Sequence, residues 1–164
     1  KKPAVALKIG ALSVGQAAPA FSLPADDGTT INLADLKGQN VVIYFYPRDM
    51  TPGCTVEACG FRDSQAALRK LGAVVLGVSK DSVKTHQKFK VKEKLNFPLL
   101  SDETGEMIAA YGSWGPKTFM GRKFDGILRT TVLIDKNGKV AKLWPKVDVK
   151  VHAAHVLDAL AALG

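Results

Sequence analysis

The feature that most constrains the fold is an uninterrupted run of β-branched and aromatic residues at positions 41–46. Such a run is typical of a central strand that is buried on both faces of a sheet. Pro47 ends it, because proline has no backbone N–H to donate to a strand ladder. A second run, residues 73–78, follows a segment of helical spacing. The order strand, helix, strand predicts a right-handed parallel crossover.

The remaining segments extend this pattern into an α/β domain. Residues 20–23 and 30–33 flank the turn Asp26-Asp27-Gly28 and predict an N-terminal hairpin. Asn137-Gly138 lies between residues 129–134 and 139–144 and predicts a second hairpin. Helices are expected at 81–94, 106–111 and 151–163, from caps and apolar spacing. The sequence therefore predicts a thioredoxin-like three-layer α/β/α domain with a mixed central sheet.

The length of 164 residues suits one domain. Residues 1–14 lack clear periodicity and are interpreted as an N-terminal extension, with the domain at 15–164. No apolar run reaches the roughly 20 residues that a membrane span needs, so we expect no membrane partner. The first residue is Lys1 and not Met. We expect a cytoplasmic location, with export to the periplasm or an organelle as the alternative.

The net charge of +8 raises the question of nucleic-acid binding. The densest basic stretch is residues 80–94, where six lysines are spread around the predicted helix with no interleaved aromatic platform. This pattern favours a solvated helix face, and we expect no nucleic-acid partner.

The chain has only two cysteines, Cys54 and Cys59. This number excludes a disulfide scaffold and a four-thiolate zinc site, and we expect no metal or cofactor. Cys54 follows Pro52-Gly53, where the chain leaves the central strand and begins a helix. The unpaired N–H groups of a first helical turn favour a thiolate, which is a nucleophile. Taken alone, the residues fit two small buried apolar cysteines equally well.

The surrounding residues resemble the active site of peroxiredoxins. Pro47-x-x-x-Thr51-x-x-Cys54 matches the motif of that family, and residues 45–63 resemble its PrxQ or bacterioferritin comigratory protein subgroup. Further likeness lies at residues 15–24, 101–102, 111–115 and 126–135. The resemblance covers the chain from about Gly15 to its end.

This resemblance implies a role for each matching residue. Cys54 would be the peroxidatic cysteine, with Pro47 and Thr51 in its pocket and Arg129 reaching the pocket from a distant strand. Gly53 would let the backbone approach a small substrate closely. Glu57 would orient an arginine of the site, with a helix-surface carboxylate as the alternative.

The resemblance also implies an activity and partners. It indicates a thiol-dependent peroxidase of the atypical 2-Cys type that reduces hydrogen peroxide and organic hydroperoxides in antioxidant defence. Cys59 would resolve the Cys54 sulfenic acid as an intramolecular disulfide. The expected reductant is thioredoxin, or in some relatives glutaredoxin, and the expected state is a monomer.

Helix geometry makes that disulfide demanding. Five residues of helix separate the two Cα atoms by roughly 8.6 Å. A disulfide needs less than about 7 Å. We therefore predict that the first turns of this helix unwind locally during turnover.

The sequence also gives expectations for its three histidines and for two aromatic residues near the proposed site. His86, His152 and His155 show no ligand spacing and are expected to face solvent. Trp114 and Phe119 are expected to pack in the core rather than wall the pocket.

Two other classes of protein remain as alternatives. A general disulfide oxidoreductase prefers two intervening residues between its cysteines, whereas four intervene here. A redox-sensing or chaperone-like binding protein would use oxidation of Cys54 as a switch.

Overall fold

The computed structural model describes residues 8–163. Its strands are β1 (Lys8–Ile9), β2 (Leu12–Ser13), β3 (Ser22–Pro24), β4 (Thr30–Asn32), β5 (Asn40–Phe45), β6 (Ala73–Ser79), β7 (Leu99–Ser101), β8 (Trp114–Phe119), β9 (Arg122–Ile127), β10 (Thr130–Ile134) and β11 (Val140–Trp144). Its helices are a short 3-10 helix (Leu33–Leu36), α1 (Pro52–Asp63), α2 (Gln65–Lys70), α3 (Val83–Glu93), α4 (Glu106–Ala110) and α5 (His152–Leu163).

The central sheet has five strands in the order β11-β10-β5-β6-β7. Strands β5, β6 and β7 are parallel, whereas β10 runs antiparallel to both β5 and β11. The predicted mixed sheet is therefore confirmed. Every residue of β5 is buried, as expected for the apolar run at its centre.

The core has two halves, one on each face of this sheet. Ile43 and Phe45 point into the half that contains α4 residues, and the neighbouring Val42 and Tyr44 point into the half that contains residues of α1, α2, α3 and α5. This alternation follows from the two-residue period of a strand. The thioredoxin-like layered α/β fold is confirmed.

The helical segment after β5 is divided in two. Pro52 occupies the first turn of α1, where its missing N–H costs no hydrogen bond, and Thr51 is the N-cap. Ser64 ends α1 and precedes α2, with backbone angles (φ −100°, ψ 4°) outside the helical range. The sequence pattern predicts one continuous helix here, because the apolar spacing runs on across Ser64.

Within the described residues, three hairpins lie outside the central sheet, and one of them, β3–β4, is the predicted N-terminal hairpin. The β8–β9 hairpin was not predicted, because most of its side chains are exposed and give no alternating pattern. The β1–β2 hairpin places Ile9 and Leu12 in the core. Residues 1–7 of the expected N-terminal extension lie outside the described residues. Within residues 8–163, none of the helices has the length and apolar character needed to cross a bilayer.

Candidate active site

Cys54 lies in the first turn of α1, just beyond the carboxyl end of the central strand β5. Its side chain is buried at 1% exposure, and no disulfide joins it to Cys59. The first helical hydrogen bond that spans this turn runs from Thr55 N–H to the Thr51 carbonyl. The N–H groups of Gly53 and Cys54 therefore have no intrahelical acceptor. They offer donors and the positive end of the helix dipole beside the sulfur.

The sheet brings Arg129 to this sulfur. Antiparallel pairing sets Thr130 opposite Phe45, so the residue before β10 lies beside the end of β5 from which the Cys54 loop leaves. The Arg129 Nη2 atom donates to the Cys54 Sγ at 3.3 Å, across 75 residues of sequence. A guanidinium so placed stabilises negative charge on sulfur and on an oxygen that develops charge beside it.

Glu57 holds the same guanidinium from the other side. Its Oε1 accepts from Arg129 Nη1 at 2.6 Å, and the carboxyl is 1% exposed rather than on the helix surface. The second oxygen, Oε2, is buried without a hydrogen-bond partner. Burial raises the pKa of Glu57 from 4.5 to about 7, although Arg129 acts in the opposite direction. The carboxyl is thus poised between its two protonation states near neutral pH.

Gly53 makes the approach of Arg129 possible. A Cβ atom at this position would lie 3.3 Å from Arg129 Nη2, closer than most side-chain contacts. The glycine thus makes room for the guanidinium as well as leaving the backbone accessible.

Thr51 and Pro47 lie at the two ends of the loop that joins β5 to α1. Both are half-buried. The Thr51 hydroxyl donates to the Arg48 carbonyl at 2.8 Å, so its hydrogen is not directed at the sulfur. Its oxygen keeps lone pairs with which to accept a hydrogen bond.

Cys59 lies on the same unbroken helix as Cys54. Its Sγ is half-buried and donates to Glu93 Oε1 of α3 at 3.6 Å. Burial raises the pKa of the Cys59 thiol, and the Glu93 carboxylate adds to the rise. The structure therefore holds the second thiol against α3 and away from the helix N-terminus.

A buried polar network lies under the loop between β5 and α1 and was missed by sequence reasoning. His86 is fully buried, with Nδ1 at 2.6 Å from Asp49 Oδ2 and Nε2 at 2.9 Å from the Leu100 carbonyl. The expectation that His86 faces solvent is therefore wrong. Its carboxylate partner lies 37 residues away in the chain, beyond the reach of local spacing.

The same network resembles a metal site in composition. Ligand atoms of Asp49, Asp81 and His86 lie within 4.8 Å of one another. Both nitrogens of His86 and both carboxylate oxygens of Asp49 already have protein partners. The arrangement is explained by hydrogen bonding alone.

His152 is also buried, contrary to the expectation, whereas His155 is exposed. The His152 Nε2 lies 2.7 Å from Thr131 Oγ1, and the ring meets Phe61 edge-on. Burial, with smaller contributions from His155 and Arg129, lowers the pKa of His152 from 6.5 to about 4. The ring is therefore neutral at pH 7.

Two aromatic residues that were expected in the core are on the surface. Trp114 and Phe119 of the β8–β9 hairpin are 43% and 67% exposed. Lys117 of the same hairpin lies near the site: burial and the Arg129 guanidinium lower its pKa. The hairpin thus borders the site with its side chains largely in solvent.

A thiol at a helix N-terminus, faced by an arginine on a thioredoxin-like sheet, defines a thiol-dependent oxidoreductase. The sequence profile of the AhpC/TSA family matches residues 14–143. A putative peroxiredoxin Bcp of Coxiella burnetii is 54% identical over 91% of this chain and 99% of its own, and peroxiredoxin Bcp of Bacillus subtilis is 48% identical over 91% and 95%.

Solved structures agree with these relatives. The Xanthomonas campestris bacterioferritin comigratory protein has a TM-score of 0.85 at 39% identity, covering 94% of this chain and 98% of its own. A cysteine mutant of Xylella fastidiosa PrxQ has a TM-score of 0.88 at 34% identity, covering 93% and 97%. The chain belongs to the AhpC/TSA family and is a peroxiredoxin of the Bcp/PrxQ type, a peroxidase that takes hydroperoxides and a thiol reductant.

Proposed function

We propose that Cys54 is the peroxidatic cysteine and that Cys59 resolves its oxidised form within the same chain. The observation that carries this proposal is the contact of Arg129 with Cys54 Sγ at 3.3 Å, fixed by Glu57. This contact places a positive charge beside Cys54, whose thiol is buried at the N-terminus of α1.

The first step oxidises Cys54 by two electrons. The thiolate attacks one peroxide oxygen, the O–O bond breaks, and the other oxygen leaves as hydroxide or alkoxide, which takes from solvent the proton that the thiol had released and becomes water or an alcohol. Arg129 donates to the oxygens as charge develops on them. The Thr51 oxygen accepts a hydrogen bond from the hydroperoxide, since its own hydrogen is committed to Arg48. Cys54 becomes a sulfenic acid.

The second step forms a disulfide. The Cys59 sulfur attacks the Cys54 sulfur, the S–O bond breaks, and water leaves with the Cys59 proton. Both residues belong to α1, so no rigid movement of that helix can join them. Local unwinding of the first turns of α1 is part of this step. It also releases Cys59 from Glu93.

Regeneration needs an external dithiol. We propose thioredoxin as the reductant, with glutaredoxin as the alternative, and a monomer as the working state. The Xanthomonas campestris relative has alkyl peroxide reduction activity. We propose alkyl hydroperoxides as substrates here beside hydrogen peroxide.

The test is a thioredoxin-coupled peroxidase assay of the wild type, Cys54→Ser and Cys59→Ser. Cys54→Ser is expected to lose turnover. Cys59→Ser is expected to react once with peroxide and to accumulate a sulfenic acid that mass spectrometry detects after trapping. Turnover by Cys54→Ser would contradict the assignment of the nucleophile. Full thioredoxin-dependent turnover by Cys59→Ser would contradict the intramolecular disulfide. Replacing thioredoxin with glutaredoxin decides the reductant.

A further inference from the structure

In the loop between β5 and α1, the only residue after Tyr46 that is buried is Asp49. Asp49 is buried at 4% exposure, whereas Arg48 and Met50 on either side are exposed. Thr51 closes the loop on itself through the Arg48 carbonyl. Met50 has a positive φ of 64°, a left-handed conformation that glycine adopts more readily than methionine. The loop is a compact turn fixed to the core by Asp49.

Every polar atom of Asp49 that faces the interior is bonded. Tyr46 donates to its Oδ1 at 2.6 Å, and His86 Nδ1 lies 2.6 Å from its Oδ2. Its backbone N–H donates to Asp81 Oδ2 at 2.8 Å, and the Ser79 hydroxyl donates to that same oxygen at 2.7 Å. The partners are Tyr46 directly after β5, His86 of α3 and Asp81 two residues after β6, so three separate parts of the chain hold one residue.

Proton positions in this network follow from its acceptors. The Leu100 carbonyl can only accept, so the His86 Nε2 carries a hydrogen. The contact between Nδ1 and Asp49 Oδ2 joins an imidazole to a carboxyl group, and both are fully shielded from water. Loss of either partner leaves a buried polar group unpaired, which is costly.

The far end of the segment that contains both cysteines is also fixed. Arg62 Nη1 donates to the Glu93 carbonyl at 2.6 Å, and Asn96 donates to the Arg62 carbonyl. The chain that must rearrange to join Cys54 to Cys59 therefore lies between two attachments, Asp49 and Arg62.

We propose that Asp49 is a positioning residue that fixes where the unwinding of α1 begins. This inference rests on the proposed function, because α1 unwinds in order to form the Cys54–Cys59 disulfide. Asp49, held by Tyr46 and His86, stays in place while the chain after it rearranges. The loop thus keeps Thr51 and Cys54 aligned for peroxide before each turnover and returns them to that alignment afterwards.

The test compares two ways of changing Asp49 with a matched change elsewhere. Asp49→Ala removes the attachment. Asp49→Asn keeps it, because the amide accepts from Tyr46 and donates to the His86 Nδ1 of the Nε2–H tautomer. Asp26→Ala is the control: Asp26 is equally buried and accepts from Leu99 N–H and Lys90, away from the loop.

Rapid-mixing experiments with hydrogen peroxide, quenched and read by mass spectrometry, separate sulfenic acid formation from disulfide formation. Asp49→Ala is expected to lower the second-order rate of sulfenic acid formation by about tenfold or more, since small misplacement of reacting groups costs that much. Its first-order disulfide formation is expected to be as fast as in the wild type or faster. Asp49→Asn and Asp26→Ala are expected to keep both rates within about threefold.

Amide hydrogen exchange of the reduced protein gives a readout that does not depend on activity. Exchange at residues 50–54 is expected to accelerate in Asp49→Ala, and in Tyr46→Phe if the alanine variant does not fold, but not in Asp26→Ala. Unchanged exchange there, or equal slowing of both rates in Asp49→Ala and Asp26→Ala, would overturn the proposal. Failure of the proposed function appears separately, as turnover by Cys54→Ser.

Discussion

The buried carboxyl of Glu57 makes the stability of this protein depend on pH in an unusual direction. Its pKa is raised from 4.5 to about 7 in the fold, so the folded chain holds a proton that the unfolded chain has already lost. Stability is therefore greatest below pH 4.5 as far as this group is concerned, and decreases as pH rises through 7. Most carboxyl groups in folded proteins act in the opposite direction.

Glu57→Gln mimics the protonated form at every pH and removes this dependence. The rise from 4.5 to about 7 corresponds to about 3 kcal/mol of unfolding free energy at pH 8 and under about 1 kcal/mol at pH 5. We expect the variant to exceed the wild type in stability by these amounts. Its peroxidase activity is expected to fall, because the ion pair that fixes Arg129 is lost.

The assay is urea unfolding of the reduced proteins at pH 5 and pH 8. His152 acts in the opposite direction, because its lowered pKa favours the fold as pH rises. This effect is common to both proteins and cancels in their difference. Glu103→Gln, at an exposed carboxyl, is the matched control and should leave the difference near zero. The same gap between Glu57→Gln and wild type at both pH values, or a wild type more stable than the variant at pH 8, would refute the reasoning.

Four further substitutions test the site and its surroundings. Arg129→Lys is expected to slow sulfenic acid formation by about a hundredfold, because an ammonium cannot present the two-sided planar donor set; an unchanged rate in stopped-flow would exclude this role. Gly53→Ala should slow the same step by displacing Arg129, whereas Gly60→Ala meets only an ordinary 3.6 Å contact and should raise the melting temperature with activity retained. Equal rates for the two alanine variants would contradict this. Met120 has a positive φ of 51°, which asparagine tolerates better than methionine, so Met120→Asn should raise the free energy of unfolding by about 1 kcal/mol in urea. A lower urea midpoint than that of the wild type would show that the turn is not strained.

The parts of the fold that were predicted correctly are those in which burial leaves a local pattern. The β5 run is apolar on both faces because both faces are covered, and the Asn137-Gly138 turn needs a glycine at its second position because Gly138 has a φ of 79°. The β8–β9 hairpin was missed for the converse reason. Its strands pack against little, so exposed aromatic and charged residues follow no period.

The same distinction applies to the site, where local features could be predicted and long-range contacts could not. The motif from Pro47 to Cys54 is contiguous and could be identified directly from the sequence. Asp49 and His86 could not be paired, because a histidine on a lysine-rich helix gives no local sign of the carboxyl that it meets across the fold. One signal was present: an aspartate within a loop that joins a buried strand to a helix must either face water or find a buried partner.

The pairing of β10 with β5 has a consequence for synthesis of the chain. Cys54 leaves the ribosome 75 residues before Arg129, and parallel β6 and β7 are added to the sheet in between. During that interval the nucleophile has no guanidinium beside it. The contact between Arg129 and Cys54 is therefore completed only when β10 docks beside β5, so the cysteine motif alone does not build the site.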